Sequence, residues 1–112
     1  MKLVTAIIQP SALDAVRLAL AQAGVAGLTI SEAAGFAHQK GHTEVYRGAE
    51  FTIDFLEKVR LEVLCPDEEL EHVVQTICDA ARTGEIGDGK VWATNVEDVI
   101  RIRTGERGPA AV

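Results

Sequence analysis

Aromatic residues are scarce in this chain: one tryptophan, one tyrosine and three phenylalanines among 112 positions. The core must therefore be aliphatic. Basic residues are also in deficit, with 11 Lys and Arg against 17 Asp and Glu and a formal net charge of −6. That is the wrong sign for a protein whose main partner is nucleic acid, although it leaves room for a local basic pocket. No apolar run approaches the ~18 residues of a membrane span. The opening MKLVTAIIQP has one lysine and no small-residue cleavage site behind a long apolar core, so it reads as a strand and the expected location is the cytoplasm. Two cysteines, Cys65 and Cys78, form no metal-binding spacing and are expected to be buried reduced thiols. What is present, 47% hydrophobic and 25% charged residues, is ordinary globular composition. The length predicts a single domain spanning 1–112. A chain of this size buries only about two-thirds of its unfolded surface, so association with other copies helps it.

The hydrophobic pattern divides the chain into two similar halves. Residues 2–9 are apolar on both alternating faces, as in a strand covered on both sides. Ser11, with Asp14 three residues on, is a candidate helix cap. Leu13, Val16, Leu20 and Ala23 recur at helical spacing, and Gly24 stops the helix. A second strand is predicted over 28–36, with Leu28, Ile30, Ala34 and Phe36 on one face. A third runs over 59–65, with Val59, Leu61, Val63 and Cys65 on one face. Asp67 is the candidate cap of a second helix whose stripe is Leu70, Val73, Val74, Ile77, Cys78 and Ala81, closed by Gly84. A fourth strand is predicted over 91–96. A short extended piece over 99–103 would carry Arg101 and Arg103 on one side. Strand–helix–strand, long loop, strand–helix–strand is the order of a ferredoxin-like α+β sandwich with an antiparallel sheet. Its helices cover one face only, while several strands look apolar on both. A second copy of the chain is the simplest cover, and a homo-oligomer is predicted.

Three stretches carry chemistry. In TGEIGDGKV (83–91), Gly84, Gly89 and Lys90 match most of a P-loop. Val91 replaces the metal-binding hydroxyl and a strand follows instead of a helix, which excludes a P-loop ATPase. Glycines still let backbone N–H groups converge on an anion, and Lys90 adds charge. The alternative is a plain turn. In RIRTGE (101–106), paired arginines suit phosphate oxygens; the alternative is two solvated arginines paired with surface acids. The polar segment 37–55 contains His38, Lys40 and His42, with Lys58 just beyond. Solvated loop histidines are favoured there over zinc, and His72 is expected to be exposed. A long polar loop in a small domain is more often functional than idle. No Ser-His-Asp or Cys-His arrangement can be argued.

Taken together, KGHTEVYRGAEF (40–51), TGEIGDGKVW (83–92) and VIRIRTGE (99–106) resemble the T-loop, B-loop and C-loop signatures of the PII signal-transduction proteins. The resemblance covers essentially the whole chain, with a T-loop at about 37–55, a B-loop at about 82–90 and a C-loop at about 101–109. It implies a homotrimer whose inter-subunit clefts bind ATP or ADP. By position it assigns Thr29, Gly35, Glu62 and Leu64 to the adenine side of the nucleotide, and Ala37, His38 and Gln39 to nucleotide binding at the base of the T-loop. It assigns Thr83, Gly87, Asp88, Gly89 and Lys90 to the phosphate turn of one chain, and Arg101 and Arg103 to the next. With Mg²⁺–ATP it implies a 2-oxoglutarate site: Gln39 gives its side-chain oxygen to the metal, Lys40 and Gly41 donate backbone hydrogen bonds, and Lys58 pairs with the distal carboxylate. The T-loop, with Tyr46 and Arg47 near its tip, would then be presented to a target protein, for example an ammonium channel or another transporter.

This sequence departs from the family pattern in places. Phe51 stands where many relatives modify a tyrosine, and Ala49 where some phosphorylate a serine, so no covalent modification of the familiar kind is expected. His38 replaces a frequent arginine and Ala37 a frequent glycine, which bears on ATP discrimination and the 2-oxoglutarate response. Gln9 and Ser11 also differ, as in a divergent paralogue. The expected function is a non-catalytic regulator, most readily in nitrogen metabolism. The alternative is a paralogue regulating a metal-ion or bicarbonate transporter, with 2-oxoglutarate sensing weakened or lost. A slow ATPase is disfavoured, because no general base sits beside the phosphate turn.

Overall fold

A computed structural model describes residues 1–35, 44–46, 49–51 and 55–112, with 44–46 and 49–51 described by their strand pairing alone. In chain order the elements are β1 (Lys2–Ile8), α1 (Leu13–Gln22), β2 (Thr29–Gly35), β3 (Glu44–Tyr46), β4 (Ala49–Phe51), β5 (Leu56–Cys65), α2 (Leu70–Ala81) and β6 (Gly89–Asn95). β3 and β4 form a separate two-stranded ribbon. The other strands make one sheet in the order β2-β5-β1-β6, with antiparallel neighbours. Each helix joins two strands that are not neighbours, and a strand from the other half fills the gap. This is the split βαβ arrangement expected from the sequence.

Alternation along the central strands decides which face is dry. Val4, Ala6 and Ile8 on β1 lie opposite Val63, Leu61 and Val59 on β5. All six are buried, together with Val16 and Leu20 of α1 and Val73, Ile77 and Ala81 of α2. Cys65 is also buried, and burial is the main reason its thiol pKa is raised. Cys78 is only half-buried, and both thiols are free. The opposite face is mixed. Leu3 and Ile7 are half-buried, whereas Leu64 and Trp92 are exposed and share that face with Lys58, Arg60, Glu62 and Lys90. The apolar run of β1 thus reflects one buried face and one mixed face. Among the described residues, no helix is long and apolar enough to cross a membrane.

The helix boundaries correct several expectations. Both helices are entered through a 3₁₀ turn, Pro10–Ala12 and Asp67–Glu69, and neither turn nor helix has a side-chain cap. Ser11 falls inside the first turn, so its hydroxyl does not occupy the capping position. The Asp67 carboxylate instead accepts a hydrogen bond at 2.7 Å from the Met1 ammonium, a partner 66 residues away in sequence. That bond is the main cause of its lowered pKa. Gly24, two residues beyond the last helical residue Gln22, does stop α1, as expected. Its φ of +89° permits the bonds Gly24 N–H to Ala21 O and Val25 N–H to Leu20 O, which together form a Schellman closure. α2 ends earlier than expected, at Ala81, with an extended Arg82. Gly84 therefore belongs to the following turn and does not close the helix.

The largest correction concerns 99–103, which is not a strand. Ile100 forms an isolated bridge with Arg107, and residues 102–104 turn. Arg101 N–H donates to Glu106 O at 2.9 Å and Gly105 N–H to Arg101 O at 2.8 Å. Gly105, at φ +75°, makes this closure possible where alternation alone suggested extension. β6 also begins two residues before the expected strand, so Gly89 and Lys90 are already in the sheet.

Gly89 sits against the backbone of β1. A Cβ there would lie 1.8 Å from the Ile7 carbonyl oxygen, and its φ is +109°. Gly89→Ala is predicted to cost at least about 2 kcal/mol, combining left-handed strain with a backbone collision. Gly84→Ala has a φ of +87° but open space around it, and is predicted to cost only about 1 kcal/mol. Urea unfolding at fixed protein concentration distinguishes the two; equal losses would contradict this reading of Gly89.

Candidate functional site

The sheet sorts the candidate residues into two groups. Thr29 pairs with Glu62, and Gly35 pairs with Leu56. Thr29 and Gly35 are therefore six residues apart along β2, about 20 Å at the usual strand rise. Within one chain the register separates Gly35 from Thr29, Glu62 and Leu64, the residues that the resemblance places with it on the adenine side. Thr29, Glu62 and Leu64 come together, while Gly35 lies at the end of the sheet occupied by Lys58.

The first group lines an open cleft of about 890 Å³. Thr29, Glu62 and Leu64 form one wall, and His72, Pro109 and Val112 contribute elsewhere. Leu64 is 40% exposed, so an apolar side chain faces the opening. Glu62 is held by Arg60, with Nε 3.3 Å from its Oε1. His72 is exposed, as expected, and borders the cleft from α2. The chain end enters through a 3₁₀ turn, Gly108–Ala111. Sequence reasoning missed the contribution of this tail, although Gly105, Gly108 and Pro109 are turn signals that mark its return.

The second group is built around the 83–90 turn. The Asp88 carboxylate accepts hydrogen bonds from the Thr83 N–H at 2.7 Å, the Thr83 hydroxyl and the Gly84 N–H at 2.9 Å. The Thr83 hydroxyl oxygen in turn accepts from Glu85 N–H at 3.2 Å. Hydrogen bonds from Thr83 are the largest cause of Asp88's lowered pKa. Thr83 and Asp88 thus shape the turn with the groups expected to meet a ligand. Gly87 has φ +104°, and its carbonyl accepts a hydrogen bond from Lys58 Nζ at 3.0 Å. This contact joins the lysine assigned to a distal carboxylate to the turn assigned to phosphate. Lys90 is exposed beyond it on the face shared with Arg60 and Ile7.

The two arginines differ in their contacts. Arg101 Nη1 lies 2.8 Å from Glu106 Oε1, and Nη2 donates to Ala110 O at 3.2 Å. Among the described residues Arg103 makes no hydrogen bond or ion pair. One arginine is therefore paired with a surface acid, and the other is exposed. Ala37, His38, Gln39, Lys40, Gly41, His42 and Arg47 lie outside the described residues, as does Phe36. Tyr46 ends β3, and Ala49 and Phe51 bound β4. Among the described residues no group of three or more His, Cys, Asp or Glu side chains could hold a metal ion.

The Asp88 network gives a signed prediction. A carboxylate with a lowered folded pKa stabilises the turn above the ordinary aspartate range, and the contribution is lost as pH falls through its folded value. Amide exchange at Thr83 and Gly84 is predicted to remain protected at neutral pH and to lose protection under acid. Asp88→Asn should remove this dependence and expose both amides at neutral pH. Unchanged protection in the variant would mean that the turn does not depend on the carboxylate.

The sequence model of a family described as "Nitrogen regulatory protein P-II" matches residues 1–106. Proteins named "Nitrogen regulatory protein P-II" are 56% identical in Rhizobium meliloti and 54% identical in Nostoc punctiforme. "Nitrogen regulatory protein P-II 1" of Escherichia coli strain K12 is 54% identical. Each match spans 112 residues and all of both chains.

Proposed function

The chain belongs to the nitrogen regulatory protein P-II family, and on that premise we propose that it senses adenine nucleotides and 2-oxoglutarate in clefts shared by neighbouring subunits. Membership supports a nitrogen-regulatory role in signal transduction, carried out by binding and not by catalysis. The observation that carries the proposal is the division of candidate residues into two groups. Thr29, Glu62 and Leu64 offer a half-site for an aromatic base beside an apolar side chain. Gly87, Gly89 and Lys90, with Lys58 against the turn, offer a half-site for phosphates. The ends of β5 that carry them are about 20 Å apart in one chain. Two copies placed so that one chain's turn faces the next chain's cleft would bring them together. Arg101 and Arg103 then add positive charge from the chain that supplies the base half-site. A cyclic trimer satisfies this requirement, since each seam of such a ring is head-to-tail.

Mg²⁺–ATP is the form expected to admit 2-oxoglutarate, with Gln39 contributing to the metal and Lys40, Gly41 and Lys58 to the acid. Lys58 is within reach of both functions, because its ammonium already contacts the phosphate turn. Ligand-dependent positioning of 37–55, with Ala37 and His38 at its base, would shift which shape Tyr46 and Arg47 present to a target protein. Ala49 and Phe51 make the usual covalent control inapplicable. The proposed setting is cytoplasmic, with a protein target such as an ammonium channel or another transporter.

Calorimetry tests the proposal. ADP and Mg²⁺–ATP are predicted to bind, and 2-oxoglutarate heat is predicted only with Mg²⁺–ATP. Arg103→Ala is predicted to weaken ADP binding by about 1.5–3 kcal/mol, the scale of a charge-assisted hydrogen bond. Lys58→Ala is predicted to spare ADP and abolish the 2-oxoglutarate signal. Absence of nucleotide binding at millimolar concentration would refute the function; equal loss of both ligands in Lys58→Ala would refute the division of roles.

A further inference from the structure

We infer that Glu106 is a positioning residue for nucleotide binding, holding the Arg101 guanidinium in the orientation needed at the cleft rim. The inference rests on the nucleotide-binding reading above and extends it to a residue outside the phosphate and base half-sites. Three observations support it. Glu106 has its carboxylate 2.8 Å from Arg101 Nη1, and its backbone carbonyl accepts the Arg101 N–H at 2.9 Å. It therefore fixes both ends of the same residue. The turn between them is closed by Gly105 N–H to Arg101 O, and the hairpin continues through Ile100 opposite Arg107 and Gly108 N–H to Val99 O. Third, Arg101 Nη2 donates to Ala110 O at 3.2 Å, between Pro109 and Val112, which line the same cleft as Thr29, Glu62 and Leu64.

The chemistry follows from the shape of the side chain. A guanidinium has five N–H donors in one plane. One contact to Glu106 and one to Ala110 fix that plane, and among the described residues the other donors have no assigned partner. Arg101 is 38% exposed and Glu106 44%, so the pair is at the surface and open to a ligand. An arginine free to rotate would lose conformational entropy on gripping a phosphate; one already held loses less. Arg103, without such a partner, meets that cost in full. Glu106 also carries negative charge near an anion site, which by field alone would weaken phosphate binding. The two effects have opposite signs, so experiment separates them. Orientation is expected to prevail, because the exposed charge is screened by solvent whereas the fixed plane acts at contact distance.

The experiment is ADP and adenosine titration of the full-length wild type, Glu106→Ala, Glu106→Gln, Arg101→Ala and the Glu106→Ala/Arg101→Ala double variant. Glu106→Ala is predicted to weaken ADP binding about three- to tenfold, the cost of immobilising one long side chain. Glu106→Gln keeps an acceptor oxygen and is predicted to recover part of that loss. Adenosine affinity is predicted to remain unchanged in both, which a general loss of folding would not allow. In the Arg101→Ala background, removal of Glu106 is predicted to cause no further loss. ADP binding unchanged or tightened in Glu106→Ala would overturn the inference while leaving the nucleotide reading intact. So would an equal further loss in the double variant. A wild type that binds no ADP would overturn both.

Discussion

The antiparallel pairing of β5 with β1 on one side and β2 on the other is the constraint on which the rest of this structure depends. It places Val59, Leu61 and Val63 against the helices and turns Lys58, Arg60, Glu62 and Leu64 to the other face. The strand that forms the middle of the core thus carries candidate ligand-binding groups on its reverse. Its length separates them: Lys58 reaches the 83–90 turn, and Leu64 opens on the cleft near the chain end. A shift of one residue in this register would exchange the two faces, burying charge and exposing the core. Fold and binding surface are therefore specified by one pairing.

Electrostatics act locally against an acidic background. The chain carries six more acidic than basic charges, yet Lys58, Lys90, Arg101 and Arg103 lie in the segments assigned to ligand. Their environments differ. Lys58 bonds a backbone carbonyl of the glycine turn, and Arg101 is held by an acid and by the tail. Lys90 and Arg103 are exposed. An anion entering such a site would meet two ordered donors and two adaptable ones. Asp88 meanwhile spends its charge on the amides of its own turn. An acidic residue in this turn is thereby compatible with the anionic ligand proposed for it.

Much of this was legible in the sequence because it follows from periodicity. The stripes of α1 and α2, the buried face of β5 and the strand–helix–strand order all rest on side-chain spacing, and all appear in the structure. The failures occurred where a specific contact, and not the side-chain period, decides a local shape. Asp67 looked like a cap, but the Met1 ammonium claims its carboxylate. The 99–103 segment alternates like a strand, but Glu106 and Gly105 close it into a turn. The Gly-rich stretch was read correctly as conformationally special, yet only the structure reveals that Gly89 is required by the Ile7 carbonyl. The resemblance to one family supplied what spacing could not, and the family match bears out the membership itself.

The central claim is that the base half-site and the phosphate half-site of one nucleotide come from different chains. Subunit mixing tests this most directly. Lys90→Ala impairs the phosphate half-site and Arg103→Ala the opposing one, so each variant alone should bind ADP poorly. After denaturation together and refolding at equal amounts, random assembly into a cyclic ring gives about one quarter of seams two intact halves. The account predicts that high-affinity ADP binding returns to that fraction of sites. If the mixture binds no better than the two variants measured separately, both halves reside on one chain and the account is wrong.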